Sequence, residues 1–452
     1  MKFKILCLLL FFCGLLEARA APQLASPVPT TPAVPLVPVT AGTRFIVRNP
    51  YGLASLQQLC LALGCNVAGA VDGALGKLFL VTAPSSIDPN VFLQTLRSHP
   101  EVTNAELDAL LKVMQSTTSV PPSGLTDSAP VNYFGTSVWH GYVAQPAGAI
   151  VRLPDTQLAF NVTGAGIVAD IDTGVDPSHP VLQPVLLSGY DFTRNQPIGS
   201  EMTDFTGAPP PANSRNVAKV NQSTAAVLDQ STAAVLDQGP QFGAFGHGTM
   251  VAGIIHLVAP TSQIMPLKAF QADGTGYLSN VLRAVYFAVQ NGANVINMSF
   301  SLPTYSTEMA RAVKFAVHHQ VICVASAGND GKEEIVYPAG LSSVMGVAST
   351  ANDDSRSTFS NYGGDLVWVA APGEGVITTY PFGTYAAGWG TSFSAPMVSG
   401  GAALLLSFKA SCNESCAETS LAHAVPISSD LGNGRLDLYQ AVAAWRDTLN
   451  QR

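Results

Sequence analysis

Apolar, strand-type stretches alternate with helical stretches from about residue 160 to the C-terminus, and this alternation restricts the fold more than any other feature. The strand candidates are nearly continuous in apolar residues and cover 166–171, 263–270, 294–299, 321–326, 343–348 and 366–370. The helix candidates cover 249–258, 278–290 and 306–319. Strands that are apolar on both faces are typical of a parallel sheet with helices on both sides. The sequence therefore predicts an α/β domain with a doubly wound, mostly parallel sheet, which we place at residues 141–452.

A different pattern precedes this domain. Residues 44–113 predict the order βαββαβ, with helices over 52–64 and 87–98, which is typical of a small ferredoxin-like α+β domain. Residues 21–43 are rich in Pro, Ala, Thr and Val and predict an extended linker. Residues 114–140 predict a second linker, or processing region.

The N-terminus has the pattern of an export signal. Lys2 and Lys4 precede an apolar stretch from Ile5 to Leu16, and small residues flank Arg19. This pattern predicts a signal peptide over residues 1–20 and a secreted or extracytoplasmic protein. The stretch is too short to cross about 30 Å of hydrocarbon as a helix, so we expect no membrane association after signal cleavage.

The charge balance bears on the partners. The chain has 22 Lys plus Arg against 30 Asp plus Glu, a net charge of −8, and no basic patch of the kind that nucleic-acid-binding proteins carry. We therefore expect no nucleic-acid partner, and we expect a monomer.

The cysteines outside the signal peptide are of two kinds. Cys60 and Cys65 are close in sequence, as are Cys412 and Cys416, and each pair could form a disulfide in an oxidising compartment. Cys323 lies in an apolar, strand-like stretch, and a buried, unreactive thiol is expected there.

Three short motifs stand where predicted strands end or helices begin, which is where α/β enzymes place their sites. They are Ile171-Asp172-Thr173-Gly174, Gly246-His247-Gly248-Thr249 and Gly390-Thr391-Ser392-Phe393-Ser394-Ala395-Pro396. Taken singly, each has an ordinary structural explanation as a turn, a helix start or an N-cap.

Taken together and in this order, the motifs resemble those of the subtilisin-like serine proteases (subtilases), whose known chain order is Asp, His, Ser. The resemblance covers about residues 160–445 and includes further segments in the same order. These are Val295-Ile296-Asn297-Met298-Ser299, Ala327-Gly328-Asn329, Tyr337-Pro338-Ala339, Phe359-Ser360-Asn361, Ala371-Pro372-Gly373 and Gly434-Arg435-Leu436-Asp437.

The resemblance implies a serine endopeptidase that cleaves polypeptides through an acyl-enzyme intermediate. It implies Asp172, His247 and Ser392 as the catalytic triad and Asn329 as an oxyanion donor. The substrate-binding residues that it implies are Ser299, Phe300, Ser301, Ala327, Gly328 and Val336. It implies no required cofactor. Subtilases often hold structural calcium, but no acidic loop with the regular spacing of a calcium site is visible, so calcium stays unassigned.

The same resemblance implies that residues 44–113 are a propeptide, which inhibits the enzyme from within the chain until it is removed. A retained accessory domain is the alternative, because fold analogy alone does not establish a role.

The chemistry agrees with the resemblance. A serine hydroxyl is a poor nucleophile until a neighbouring base takes its proton, and the pKa of histidine suits that task. Asp172 would accept from the other imidazole nitrogen, and the helix N-terminus at Ser392 would offer N–H groups to an oxyanion.

The chain departs from the family pattern at several positions. Asp170 stands two residues before Asp172, where the family usually has an apolar residue. It should be deeply buried and either protonated or held by groups such as Asn297 or Ser326. Met250 replaces a second histidine that is not catalytic in the family. Ser301 and Leu302 replace glycines of the substrate strand.

Two further features lie apart from the motifs. Val336 stands where a small residue often precedes the tyrosine of the substrate pocket, so we expect a pocket that prefers small or medium apolar residues. The segment Gln222 to Asp229 recurs as Gln230 to Asp237, and we assign this duplication no function.

Two other functions compete with the endopeptidase. A serine esterase is disfavoured because no Gly-x-Ser-x-Gly sequence surrounds Ser392. A catalytically silent, protein-binding homologue is disfavoured by the complete triad and Asn329, although Asp170 and the altered substrate strand leave this alternative open.

Overall fold

The computed structural model describes residues 42–112, 120–205 and 242–451, together with the backbone of 225–227. The predicted signal peptide, almost all of the predicted linker over 21–43 and most of the duplicated segment lie outside the described residues. The described residues belong to one compact unit.

The strands and helices are numbered here in chain order. The strands are β1 Thr43–Arg48, β2 Asn66–Ala70, β3 Leu78–Ala83, β4 Asn104–Leu107, β5 Leu110–Lys112, β6 Pro130–Tyr133, β7 Thr136–Trp139, β8 Ile167–Asp172, β9 Tyr190–Asp191, β10 Gln196–Pro197, β11 Ala225–Val227, β12 Gln263–Lys268, β13 Thr275–Tyr277, β14 Val295–Met298, β15 Ile322–Ser326, β16 Met345–Thr350, β17 Val369–Pro372, β18 Val376–Tyr380 and β19 Thr384–Gly388. The helices are α1 Leu53–Leu63, α2 Pro89–Ser98, α3 His140–Val143, α4 Pro146–Ile150, α5 Leu153–Phe160, α6 His247–Val258, α7 Leu278–Gln290, α8 Thr307–His318, α9 Thr391–Leu406, α10 Glu414–Leu421 and α11 Leu438–Asn450.

The N-terminal domain has the predicted βαββαβ order. Its four strands form an antiparallel sheet in the order β2-β3-β1-β4, which is the ferredoxin-like arrangement. Both helices pack on this sheet around a small core that includes Phe45, Phe79 and Phe92. A disulfide joins Cys60 and Cys65 at the end of α1.

The larger domain is built on an eight-stranded sheet in the order β10-β9-β12-β8-β14-β15-β16-β17. Its pairings from β9 to β17 are parallel, and only β10 pairs in the antiparallel direction. The six predicted strands are all present and correspond to β8, β12, β14, β15, β16 and β17. The predicted α/β class with a mostly parallel sheet is confirmed.

The helices cover the sheet in two groups. The helices α6 and α9 pack together in one large apolar core with side chains such as Val168, Val324 and Val347. The helices α7 and α8 pack against each other outside that core. The helix α7 also contacts β8 and β12, and α8 contacts β15. Because neighbouring strand residues point to opposite faces, both faces of the sheet are covered. Among the described residues, no helix has the length and hydropathy needed to cross a membrane.

The structure differs from the predicted linker over 114–140. Residues 120–140 contain the hairpin of β6 and β7, and Leu125 and Val138 are buried in the core of the larger domain. Leu125 and Val138 are the two fully buried side chains of the segment, and Val131, Tyr133 and Trp139 pack partly buried against the same core. The sequence did not reveal these contacts, because the buried residues are isolated among polar ones. The larger domain therefore includes residues before 141.

Candidate active site

The predicted site residues meet at the carboxyl ends of the parallel strands. Asp172 is the last residue of β8, Ser299 follows β14, and Asn329 stands three residues after β15. His247 is the first residue of α6, two residues earlier than the helix predicted over 249–258. Ser392 is the second residue of α9. The carboxyl ends of the strands and the start of two helices thus form one site, as expected for an α/β fold.

Asp172 and His247 form a buried pair. The Nδ1 atom of His247 lies 2.7 Å from Oδ1 and 2.9 Å from Oδ2 of Asp172. The backbone N–H of Thr173 donates to Oδ1 of the same carboxylate at 2.6 Å. The two loops fit closely because position 248 is glycine: a Cβ there would lie 2.1 Å from the carbonyl oxygen of Gly174.

Ser392 lies in the same site, but its hydroxyl makes no hydrogen bond to the histidine. The Oγ atom of Ser392 donates to the carbonyl oxygen of Ser299 at 3.2 Å. The Nε2 atom of His247 is buried and has no hydrogen-bond partner among the described residues. The structure therefore brings the three predicted catalytic residues together without the serine–histidine hydrogen bond. Such bonds are often long or absent before substrate is bound.

Asn329 lies against the start of α9. Its Oδ1 accepts from the backbone N–H and from the hydroxyl of Thr391, both at 2.9 Å. A Cβ on Gly390 would come within 3.2 Å of Nδ2 of Asn329, so this amide nitrogen is next to the turn that leads into Ser392. The side-chain amide and the helix N-terminus are thus neighbours.

The three residues of the predicted substrate strand, Ser299, Phe300 and Ser301, are all buried, but their side chains make different contacts. Ser299 donates from Oγ to the carbonyl oxygen of Ser392 at 3.1 Å and is fully buried. Phe300 is 1% exposed and packs on Phe270 with ring centroids 5.1 Å apart, so its side chain belongs to the core. Ser301 is also mostly buried. Alternation along an extended segment explains why Phe300 points away from its neighbours.

The other predicted pocket residues are adjacent to one another. Ala327 is buried, and Gly328 has a φ of 96°, a conformation that favours glycine. A Cβ on Gly328 would lie 3.5 Å from Cγ2 of Val336, which is 3% exposed. Val336 therefore packs against the backbone segment that carries Asn329.

Asp170 is buried directly behind Asp172. Its Oδ1 accepts from Nδ2 of Asn297 at 3.1 Å, while Oδ2 has no partner among the described residues. Of the two partners expected from the sequence, Asn297 and Ser326, it is Asn297 that donates a hydrogen bond to Asp170. Burial and the neighbouring charge of Asp172 raise the pKa of Asp170 well above its usual range. The geometry thus matches a protonated acid.

One buried carboxylate beside the site was not predicted. Glu201 is fully buried and contacts both the loop after Asp172 and the loop before His247. Its partners are 28, 45 and 48 residues away in sequence, and no local pattern marks it. Burial raises the pKa of Glu201 to about 8, against the opposite effect of its hydrogen bonds from Thr249 and Gly246.

The described cysteines form two disulfides and leave one free thiol. Cys412 and Cys416 form a disulfide, like Cys60 and Cys65. Cys323 is buried, and burial raises the pKa of its thiol, which agrees with an unreactive cysteine.

In the described ranges, no group of three or more His, Cys, Asp or Glu side chains could hold a metal ion.

Comparisons with known proteins identify the family. The chain matches the subtilase family over residues 164–439, which is more than half of its length. It is 33% identical to thermitase of Thermoactinomyces vulgaris over 250 residues, covering 53% of this chain and 74% of thermitase. It is 31% identical to a thermophilic serine proteinase of Bacillus sp. (strain AK1) over 303 residues, covering 63% of this chain and 64% of that protein. It is 39% identical to subtilisin BL of Lederbergia lenta over 169 residues, covering 35% of this chain and 62% of subtilisin BL.

A solved structure agrees in fold. The crystal structure of a lanthipeptide protease aligns with a TM-score of 0.53 and 23% identity, covering 66% of this chain and 95% of that one. The chain spans less than two thirds of the length of subtilisin BL and of the Bacillus proteinase, at 62% and 64%. The chain belongs to the subtilase family.

Proposed function

We propose that this chain is a serine endopeptidase that hydrolyses polypeptides through Asp172, His247 and Ser392. The observation that carries the proposal is the buried Asp172–His247 pair, with distances of 2.7 and 2.9 Å, beside a serine at the start of α9. The serine-protease relatives in the same family support the reaction class.

Each group has a role that its position supports. Nε2 of His247 takes the proton of the Ser392 hydroxyl as Oγ attacks the peptide carbonyl, and later gives that proton to the leaving amine. Asp172 accepts from Nδ1–H and stabilises the imidazolium. The tetrahedral oxyanion is bound by the amide of Asn329 and the backbone N–H of Ser392 at the positive end of the helix dipole. For this reaction the Ser392 hydroxyl must exchange its hydrogen bond to the carbonyl oxygen of Ser299 for one to Nε2 of His247.

One observation favours a catalytically silent homologue instead. The Ser392 hydroxyl is bonded to Ser299 and leaves Nε2 of His247 without a partner in the described part of the chain. Turnover of casein and of a short-chain ester by wild type and by Ser392→Ala decides between the functions. Serine-dependent cleavage of casein supports the endopeptidase, ester turnover alone supports an esterase, and no turnover supports the silent homologue.

We also propose that residues 44–113 are an inhibitory propeptide. Glu308 of α8 has a fully buried side chain, and Arg48 of the N-terminal domain donates to its carboxylate from Nε at 3.0 and 3.1 Å and from Nη2 at 2.5 Å. Asp108 accepts from the backbone N–H of Ser279 at the start of α7, at 2.8 Å. One ion pair with a buried carboxylate and one buried hydrogen bond at this boundary support a specific contact between the two domains rather than a loose tether.

The strand β5 supports inhibition at the substrate cleft. It pairs antiparallel with β13, so that Leu111 stands opposite Gly276. A Cβ on Gly276 would lie 2.8 Å from the ring of Phe270, which packs on the buried ring of Phe300, the residue that follows Ser299. A chain that occupies this edge as an added strand blocks a polypeptide substrate from the same position. The processing site would then follow β5 and precede the hairpin of β6 and β7.

Export is the third part of the proposal. The apolar stretch from Ile5 to Leu16 and the disulfides Cys60–Cys65 and Cys412–Cys416 support a secreted protein, because disulfides persist in oxidising compartments. N-terminal sequencing of the mature protein tests both the signal and the processing site.

A further inference from the structure

The buried carboxylate of Glu201 joins the two loops that carry the acid and the base. Its Oε2 accepts from the backbone N–H of Gly246 at 2.7 Å and from Oγ1 of Thr173 at 3.1 Å. Its Oε1 accepts from Oγ1 of Thr249. Gly246 precedes His247, Thr249 follows it by two residues, and Thr173 follows Asp172. One side chain thus contacts the neighbours of both members of the pair.

An ionised Glu201 carboxylate can only accept hydrogen bonds, and the surrounding groups agree with this direction. The backbone N–H of Gly248 donates to Oγ1 of Thr173 at 3.0 Å, and the N–H of Asp176 donates to Oγ1 of Thr249 at 2.8 Å. Each hydroxyl therefore accepts from a backbone N–H and uses its own proton to donate to Glu201. Three donors converge on the two carboxylate oxygens, and Glu201 accepts all three when it is ionised.

Thr173 connects this network to the catalytic pair. Its N–H donates to Oδ1 of Asp172, while its hydroxyl donates to Glu201. The backbone of Glu201 is equally close, since a Cβ on Gly174 would lie 2.7 Å from its nitrogen. A shift of Glu201 therefore moves Thr173, and with it the Asp172 carboxylate.

We propose that Glu201 is a positioning residue that holds the Asp172 loop and the start of α6 in the register required for proton transfer by His247. This inference rests on the proposed function, because it concerns the same pair. Glu201 touches neither substrate nor the reacting atoms, and it acts through Thr173, Gly246 and Thr249.

Two substitutions of Glu201 distinguish the loss of hydrogen bonds from the loss of side-chain volume. Glu201→Gln keeps the shape, but its NH₂ group faces a donor, so at least one of the three hydrogen bonds is lost. Glu201→Ala loses all three and leaves a cavity. Because small misplacements of catalytic groups are costly, we expect kcat to fall about 10-fold for Gln and about 100-fold for Ala, with KM changed less than about twofold.

Glu414→Gln is the matched control. Glu414 is also a buried carboxylate whose pKa burial raises to about 8, but it accepts from the N–H of Cys323 near the start of β15, away from the site. Thr249→Ser, which keeps the hydroxyl donor, should retain activity, whereas Thr249→Val should lose it. Equal losses of kcat for Glu201→Gln and Glu414→Gln would overturn the proposal, and so would equal losses of kcat for Thr249→Ser and Thr249→Val.

A spectroscopic measurement tests the proposal without activity. In full-length protein carrying Ser392→Ala, the Nδ1 proton between His247 and Asp172 gives a downfield NMR resonance. We expect Glu201→Gln to shift or broaden this resonance and Glu414→Gln to leave it unchanged. An unchanged resonance in folded Glu201→Gln protein overturns the inference. A shifted resonance together with an inactive wild type supports the inference and refutes the proposed function instead.

Discussion

Val336 is expected to limit the size of the residue that the enzyme accepts before the scissile bond. The side chain is 3% exposed and faces Gly328, where a Cβ would lie 3.5 Å from its Cγ2. Its isopropyl group therefore occupies space beside the segment that carries Asn329. A large aromatic side chain bound along this wall would compete for that space.

The magnitude follows from the atoms removed. Val336→Ala deletes two carbons and Val336→Gly deletes three, and each buried CH₂ that a substrate can fill contributes about 0.8 kcal/mol. The gains for a Phe substrate are then at most about 1.6 and 2.4 kcal/mol, or about 15-fold and 60-fold in kcat/KM relative to Ala.

The assay compares chromogenic peptides that differ only in the last residue before the cleaved bond: Ala, Val, Leu or Phe. Wild type should prefer Ala, Val or Leu over Phe, and the two variants should raise the Phe-to-Ala ratio in order of side-chain loss. Ile335→Ala is the control, because Ile335 is adjacent but 43% exposed and should leave the ratio unchanged. A wild type that already favours Phe, with no change in Val336→Gly, would refute this reasoning.

Three other predictions concern processing, the oxyanion and the buried acid. Ser392→Ala should remain at pro-length while wild type loses about 10 kDa, judged from 47.1 kDa over 452 residues, and equal sizes on a gel would exclude self-processing. Asn329→Ala should lower kcat about 10²–10³-fold with little change in KM, and an unchanged kcat would remove Asn329 from the oxyanion site. Asp170→Asn should keep activity and be more stable than wild type by an amount that grows from about pH 4 upward. The reason is that folded Asp170 keeps its proton at a pH where the unfolded chain, with a pKa near 3.9, releases it, so wild-type stability falls as pH rises through that range. Denaturant melts from pH 5 to 8 test this, and a constant difference between the two proteins would contradict it.

The sheet was predictable because burial on both faces leaves a strong trace in sequence. The strand that ends at Asp172, for example, is buried at every position, and all its residues before Asp172 except Asp170 are apolar. The strand β10 at the edge of the sheet and its neighbour β9 have only two residues each and leave no such trace. The hairpin of β18 and β19 was also not predicted, since it forms a separate sheet whose threonines and glycine read as loop.

The site residues were predictable where they lie in short sequence motifs. They were not predictable where their role depends on contacts with residues far away in the sequence. His247 and Ser392 carry flanking residues that mark them, whereas Glu201 has partners up to 48 residues away. The buried position of Phe300 also depends on a long-range contact, with Phe270 from another part of the chain. The orientation of the Ser392 hydroxyl toward Ser299 is a rotamer choice that no sequence pattern encodes.

Labelling with a serine-directed phosphonate tests the central claim most directly. Mature wild-type protein should take up one phosphonate per chain, located by peptide mapping at Ser392, with loss of casein cleavage in proportion to labelling. His247→Ala and Ser392→Ala should remain unlabelled, because the first lacks the base and the second lacks the nucleophile. Unlabelled mature wild type, or casein cleavage that persists in Ser392→Ala, would contradict the claim that this chain is a serine endopeptidase acting through Asp172, His247 and Ser392.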